Sequence, residues 1–141
     1  MKKFIMENRP YLLDIPGHFS ESGNLNFWDN ADLFPSGIQR CFWISKVKKG
    51  ETRGNHAHLD ESQVIVSIAG VLQVKVTTLE GEFLLFTLDS SSKGLFIPPL
   101  NWISISFSED SILLGLCNRA FSEEDYIRDK KEFDNYQKRN K

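Results

Sequence analysis

The sequence predicts an all-β domain, built as a sandwich or barrel of short antiparallel strands. Short runs of β-branched and aromatic residues dominate the 141-residue chain, and clusters of Gly, Pro, Asn, Asp and Ser separate them. Many short strands at this spacing are typical of a sandwich or barrel. Hydrophobic residues make up 40% of the chain and include 11 phenylalanines, which is enough to fill its interior. This length suits one core, so we expect one domain over residues 1–141.

Nine segments have the composition of strands. In one of them the apolar Leu72, Val74 and Val76 alternate with the polar Gln73 and Lys75, which predicts a strand with one solvated face. The predicted strands cover residues 24–28, 38–45, 55–59, 63–69, 71–78, 82–88, 94–98, 101–107 and 111–117.

Two turns and one helix complete the predicted elements. Residues 79–82 form a tight hairpin connection in which Gly81 can adopt a positive φ, and residues 90–94 form a second turn. Only the C-terminal segment has a helical pattern, with Ser122 as N-cap and Asp125 three residues later. The helix should extend to about residue 137. Its apolar stripe consists of Tyr126, Ile127, Phe133 and Tyr136.

Charge and composition exclude several classes of function. The 17 basic and 19 acidic residues are mixed along the chain without a basic stripe, so neither nucleic acid nor an anionic membrane is an expected partner. Cys41 and Cys117 lie in apolar runs and are predicted to be buried free thiols. No apolar run is long enough to span a membrane, and the N-terminal residues lack the apolar core of a signal peptide. We therefore expect a cytoplasmic protein.

The segment RGNHAHLDESQ contains the most informative motif. His56 and His58 are two residues apart in a predicted strand, so their side chains share one face. Together with Gly50, Gln63 and Gly70 they have the spacing of the first cupin motif, although Gln63 stands where that motif usually has glutamate. The chain therefore resembles the cupins. This resemblance implies an all-β, RmlC-like antiparallel jelly-roll barrel, here with a short C-terminal helix.

The cupin resemblance raises the possibility of a metal site, which the residues do not favour. Metal-binding cupins use two histidines and a glutamate from the first motif and a further histidine from the second. The expected second motif, residues 94–107, contains no histidine, and His18 lies in a loop-like segment. Two imidazoles and the neutral amide of Gln63 are a poor ligand set for a divalent cation. We expect neither a metal nor another cofactor.

A second resemblance covers most of the chain. RGNHAH, the following Gln63, NWISISF and especially SEEDYIRDKKEF are similar to the sugar 3,4-ketoisomerase family, the WxcM-like cupins of the FdtA/QdtA type. Members act on thymidine-diphosphate-linked (dTDP-linked) 4-keto-6-deoxyhexoses in deoxysugar biosynthesis for surface polysaccharide. The resemblance implies a metal-independent isomerase of dTDP-4-keto-6-deoxy-D-glucose. It also implies a homodimer, often with N-terminal strands shared between subunits.

The chemistry of this reaction suggests roles for the motif residues. Moving a keto group from C4 to C3 means removing the C3 proton, passing through an enediol and protonating C4, and imidazole can both accept and return a proton near neutrality. We predict His58 as the base and His56 as its partner, the alternative being two hydrogen-bonded interior histidines. The resemblance implies that Arg53 contacts diphosphate or sugar oxygens, with Asn55 and Gln63 also in the substrate-binding set. Gln63 could equally be structural.

Three departures from the family keep a second function open. Leu59 replaces a common lysine, Ile103 replaces a common histidine, and Phe42 lies on the strand where many members have an active-site tyrosine. Loss of a phenolic hydroxyl removes a proton relay or oxyanion donor and typically costs a factor of about 10 to 1,000 in rate. The alternative is therefore a non-catalytic cupin that binds a nucleotide sugar or a partner enzyme. Trp43 and Trp102 could stack on thymine or belong to the core.

Overall fold

The computed structural model describes residues 8–139. The chain forms twelve strands, a single 3₁₀ turn over Glu123–Asp125 and one α-helix within that range. The strands are β1 (Tyr11–Asp14), β2 (Gly17–Ser20), β3 (Gly23–Asn26), β4 (Arg40–Ser45), β5 (Thr52–His58), β6 (Gln63–Ala69), β7 (Leu72–Thr77), β8 (Phe83–Leu88), β9 (Lys93–Ile97), β10 (Trp102–Phe107), β11 (Ile112–Cys117) and β12 (Tyr126–Ile127); the helix is α1 (Lys130–Arg139).

Two antiparallel five-stranded sheets enclose the core. Their strand orders are β1-β9-β6-β11-β4 and β12-β5-β10-β7-β8, and β2 and β3 form a separate two-stranded hairpin. The fold class is confirmed: this is an antiparallel all-β jelly-roll arrangement with a short C-terminal helix. The inward faces of both sheets supply one buried aliphatic cluster, formed by Ile65, Leu72, Val74, Val76, Leu88, Leu95, Ile97, Ile103, Ile105 and Leu113.

The β7–β8 hairpin has the predicted strands and turn. Leu72, Val74 and Val76 are fully buried while Lys75 between them is exposed, as the alternating pattern predicts. Gly81 adopts a φ of 85° and donates its backbone N–H to the carbonyl of Thr78. The seven other predicted strands also form, with ends shifted by up to three residues, but the short β1, β2 and β12 were not predicted. His18 therefore lies on β2 and not in a loop.

The predicted start of the C-terminal helix at Ser122 is wrong. The Ser122 side chain makes no capping hydrogen bond, and only a 3₁₀ turn follows it. The next two residues extend and pair with β5, and α1 begins at Lys130, where the Asp129 carboxylate accepts the Lys131 backbone N–H. Phe133 of the predicted stripe is fully buried against the outer side of β5. Tertiary pairing has overridden the local helical pattern.

Cys117 is buried and Cys41 is exposed, and both are free thiols. The prediction for Cys41 is wrong because this residue points outward from the edge strand β4, whereas Arg40 and Phe42 on either side point inward. Across residues 8–139, no helix combines the length and the apolar character needed to cross a bilayer.

Candidate active site

A pocket of about 650 Å³ lies between the two sheets where β4 and β5 face each other. One part of its wall is aliphatic and aromatic, from the core, and another part is basic and polar. The lining residues used below are Arg40, Phe42, Trp43, Arg53, Asn55, His56, Gln63, Ile103, Tyr126 and Arg128.

A β-bulge in β5 directs two predicted site residues to the same face of the sheet. His56 pairs with Ile103 and Arg53 pairs with Ile105, so both lie opposite inward-facing core residues. Residues three apart in a regular strand would point to opposite faces. Asn55 is the extra residue that restores a common face, and its φ is 55°. Its amide donates to Thr52 Oγ1 at 3.2 Å.

His56 has the hydrogen bonding of a neutral imidazole with a free acceptor nitrogen. Its Nδ1 lies 2.9 Å from the carbonyl oxygen of Gly54, so Nδ1 carries the proton and donates it. Its Nε2 is shielded from solvent and has no hydrogen-bond partner. Burial, reinforced by the neighbouring His58, lowers the pKa of His56 from 6.5 to about 4. The ring is therefore neutral near pH 7, with an unprotonated Nε2.

His58 is held in a buried hydrogen-bond network. Its Nδ1 lies 3.0 Å from the Asp125 carboxylate, and its Nε2 lies 3.2 Å from the Glu61 carboxylate and 3.3 Å from Gln63 Nε2. Gln63 also donates to Glu61 at 2.6 Å. Burial lowers the pKa of His58 although both carboxylates oppose this shift. His58 is 6% exposed and does not line the pocket, but its ring packs edge-on against His56 at 5.0 Å.

Tyr126 places a phenol beside both histidines. Its ring centroid lies 4.9 Å from that of His56 and 4.3 Å from that of His58, because β12 pairs with β5 directly opposite His58. Arg40 Nη2 donates to the phenolic oxygen at 3.2 Å. The guanidinium of Arg128 covers the other side of the ring at 4.2 Å from its centroid.

The structure brings four of the five predicted site residues to the pocket. Arg53, Asn55, His56 and Gln63 line it, and His58 lies directly behind His56. Arg53 is exposed and has no ion pair within residues 8–139. The side chain of Gln63 is 3% exposed and is already engaged by Glu61 and His58.

Two of the three departures from the family pattern lie in the pocket. Phe42 and Ile103 line it, whereas Leu59 packs under α1 on the other side of β5. Trp43 is 71% exposed at the pocket margin, whereas Trp102 packs on Phe133 beneath the helix. Of these two tryptophans, Trp43 is therefore the one that reaches this pocket.

Four further residues contribute to the site without having been predicted from the sequence: Arg40, Asp125, Tyr126 and Arg128. The sequence predicts the start of a helix at SEEDYIRD, but Asp125 is 6% exposed and its carboxylate accepts a hydrogen bond from His58 Nδ1. The strand β12 is only two residues long, so the sequence held no period-two signal of it. Arg40 could have been found from the period of two in β4, since it alternates with outward Cys41 onto the face of Phe42.

Within residues 8–139, no three His, Cys, Asp or Glu side chains are arranged to hold a metal ion. Metal independence stays a prediction.

The chain matches known proteins over most of its length. Residues 8–138 match the model of the family described as "FdtA: WxcM-like, C-terminal". A curated relative, the TDP-4-oxo-6-deoxy-alpha-D-glucose-3,4-oxoisomerase of Aneurinibacillus thermoaerophilus, is 31% identical over 135 residues, which cover 94% of this chain and 92% of that protein.

The chain is also similar to solved structures of 3,4-ketoisomerases. A mutant of the 3,4-ketoisomerase QdtA from Thermoanaerobacterium thermosaccharolyticum, with a histidine replaced by asparagine, was solved in complex with TDP-4-keto-6-deoxyglucose. It superposes with a TM-score of 0.85 at 30% identity and covers 92% of this chain and 95% of that chain. A 3,4-ketoisomerase from Helicobacter canadensis gives a TM-score of 0.84 at 27% identity, with 92% and 97% of the two chains covered.

Proposed function

The chain belongs to the FdtA family of WxcM-like proteins, and from this membership we propose that it is a TDP-sugar 3,4-ketoisomerase. Its substrate would be TDP-4-keto-6-deoxyglucose, the compound bound in the QdtA complex and named in the curated relative. The proposal includes a single cupin domain, a cytoplasmic location and a role in making deoxysugars for surface polysaccharide, as the family resemblance implies.

The charge of the pocket supports an anionic substrate. Arg40, Arg53 and Arg128 line it, and no carboxylate does in the part of the chain that the structure describes. A diphosphate carries two or more negative charges, and guanidinium groups pair well with its oxygens. Arg53 is the best placed of the three because Arg40 binds Tyr126 and Arg128 binds Glu123. Trp43 beside it offers an exposed ring for the base.

One observation carries the mechanism: His56, which lines the pocket, combines a proton on Nδ1 with a buried Nε2 that has no hydrogen-bond partner. This is the state in which an imidazole acts as a general base. We therefore propose His56 as the base that carries the proton from C3 to C4, with His58 as its buried partner. This reverses the roles expected from sequence, since both nitrogens of His58 face polar groups of the protein. The bound diphosphate would raise the basicity of His56 as the reaction begins.

To test this, chelator-treated protein is incubated with TDP-4-keto-6-deoxyglucose in deuterated water, and the reaction is followed by proton NMR. Wild type should give the 3-keto sugar with deuterium at C4. His56→Asn should lose at least about 100-fold in rate, the usual contribution of a general base. His58→Asn should keep more activity than His56→Asn, and thermal unfolding of each variant would show that its fold is intact.

Each other outcome contradicts a specific part of the proposal. If His58→Asn is the inactive variant while His56→Asn stays active, the histidine roles are those expected from sequence. If wild type binds the sugar nucleotide without hydrogen exchange at C3, the protein is a binding cupin. If it neither binds nor exchanges, the substrate class is wrong.

We also propose a homodimer, which an apolar groove on the outer face of β6 and β11 supports. Phe27, Ile68 and Leu114 line this groove of about 360 Å³, and Ile68 is 49% exposed. A second copy would cover it. Light scattering should give twice the 16.2 kDa of one chain for wild type and for Phe83→Glu, an exposed site on β8, but one chain mass for Ile68→Glu. A monomeric wild type would disprove the dimer.

A further inference from the structure

The proposed reaction requires two proton movements, and a single histidine accounts for only one. The carbon-bound proton moves from C3 to C4. An oxygen-bound proton must also leave O3, which becomes the carbonyl, and another must arrive at O4, which becomes the hydroxyl. A separate group that reaches both oxygens would perform this second transfer.

Tyr126 has a hydroxyl proton that the protein does not use. Its oxygen accepts a hydrogen bond from Arg40 Nη2 at 3.2 Å, and within residues 8–139 the hydroxyl donates no hydrogen bond of its own. The residue lines the pocket, with its ring centroid 4.9 Å from that of His56. A phenol held in this way can donate its proton and accept another one.

Arg40 is positioned to stabilise the phenolate that exists between those two events. Its guanidinium lies 5.1 Å from the ring centroid of Phe42 and 5.3 Å from that of Phe121. Glu61 lies 3.8 Å from Nη2. A cation fixed beside a developing oxyanion needs no reorganisation when charge forms.

Building on the proposed function, we infer that Tyr126 moves the oxygen-bound proton between the two oxygens, while His56 moves the carbon-bound one. His56 takes the proton from C3, the C–H electrons form the C3=C4 bond, and the carbonyl π electrons move to O4, which receives the Tyr126 proton. The phenolate then takes the proton from O3. The O3–H electrons form C3=O, the C3=C4 electrons take the proton from His56 at C4, and both side chains return to their starting states.

Other polar groups near the base are less suited to this step. Both nitrogens of His58 and the amide nitrogen of Gln63 have partners inside the protein. Phe42 lies on the strand where many members of the family have a tyrosine, and it has no proton to transfer. Tyr126 therefore supplies from β12 the hydroxyl that β4 lacks.

The experiment separates carbon exchange from isomerisation in Tyr126→Phe. In deuterated water the NMR signal of C3–H reports removal and return of the carbon-bound proton, and the 3-keto sugar reports the complete reaction. We expect Tyr126→Phe to lose at least about 100-fold in 3-keto product and less than about 10-fold in C3 exchange. His56→Asn should lose both. Tyr11→Phe, which removes an exposed hydroxyl on β1, is the matched control and should lose neither.

Two results would overturn the inference. Equal losses of exchange and product in Tyr126→Phe would mean that the phenol assists the carbon step or packs the site, and unchanged rates would mean that it has no role. Wild type with neither exchange nor product would instead refute the proposed function, so the two failures are distinguishable.

Discussion

At the scale of single residues, His56 and His58 differ in the groups that surround them. The backbone carbonyl of Gly54 binds one nitrogen of His56 and leaves the other free, whereas Asp125 and Glu61 face the two nitrogens of His58. Sequence spacing shows that the pair shares a face but cannot show these partners: Gly54 and Glu61 are near in sequence, but their contacts depend on the conformation of the chain, and Asp125 is 67 residues from His58. The different surroundings of the two histidines were therefore not predictable from the motif.

Asp125 is the residue that orients His58, and its substitution should reveal this. Its carboxylate accepts the His58 Nδ1 proton and the backbone N–H groups of Asp60, at 2.8 Å, and Glu61, at 3.2 Å. Asp125→Asn places an NH₂ group against one of these donors, so we expect a loss of about 1–3 kcal/mol in the free energy of unfolding. Urea denaturation measures it. The control is Asp60→Asn, which alters an exposed carboxylate in the turn that Asp125 binds and should change the free energy of unfolding by less than about 0.5 kcal/mol. Equal effects of the two substitutions would contradict the role of Asp125.

Gly115 determines the position of Phe42 in the pocket wall. The two residues pair across β11 and β4, and a methyl group at position 115 would overlap the Phe42 ring. Gly115→Ala should therefore push this ring into the pocket, raise the KM for the sugar nucleotide and cost about 1–3 kcal/mol of stability. The steady-state kinetics and urea denaturation of Gly115→Ala test this. Adding Phe42→Leu should recover part of both losses, and additive effects of the two substitutions would argue against direct contact.

At the scale of elements, the strands could be predicted because burial imposes a period of two on them. The β7 pattern is the clearest example, since its buried and exposed residues alternate as in the sequence. The segment around β12 was mistaken for a helix because two residues are too few to show a period. Its conformation depends on pairing with β5 and on the carboxylate of Asp125, and neither interaction is local in sequence. Tertiary contacts, and not local helix propensity, therefore determine the conformation of this segment.

The bulge in β5 allows the effect of backbone conformation at position 55 to be tested separately from that of the Asn55 side chain. Val at position 55 strongly disfavours the positive φ found there, so Asn55→Val should straighten the strand and turn Arg53 to the outer face. We expect about 1–2 kcal/mol of destabilisation, and an increase in KM of about 10-fold or more from the lost charge-assisted hydrogen bonds. Asn55→Gly accepts the same φ and should keep KM within about threefold of wild type. If both variants lose affinity equally, the Asn55 side chain itself binds substrate, as the family resemblance implies.

At the scale of the whole molecule, the fold and family were predictable while the pocket was only partly so. The motif RGNHAH and the segment DYIRDKKEF identified the family, and the matched family model confirms it. The motif also supplied His56, Arg53, Asn55 and Gln63, because they lie on one strand or just after it. Arg40 and Tyr126 come from β4 and β12, which approach β5 only when the sheets close around the core. A pocket between two sheets combines residues that no single motif contains.

Burial of the two histidines inside the folded molecule should make the free energy of unfolding fall as the pH is lowered. The pKa of His56 is about 4 in the folded chain and 6.5 when unfolded, and burial also lowers that of His58. The unfolded chain therefore binds more protons between these values, so this contribution is fully present above pH 6.5 and is lost as the pH falls toward 4. For His56 alone the interval corresponds to about 3 kcal/mol. Urea denaturation from pH 4.5 to 7.5 should show the decline.

Two variants show whether this pH dependence comes from His56 or from carboxylates. His56→Asn removes the group that must stay neutral, so its stability should decline less steeply below pH 6.5 than that of wild type. His18→Asn, which alters an exposed imidazole on the β2–β3 hairpin, should follow the wild-type curve. Parallel curves for wild type and His56→Asn would show that His56 is not held neutral by the fold. Its pKa would then be the same in the folded and the unfolded chain, which would contradict the shift that burial causes.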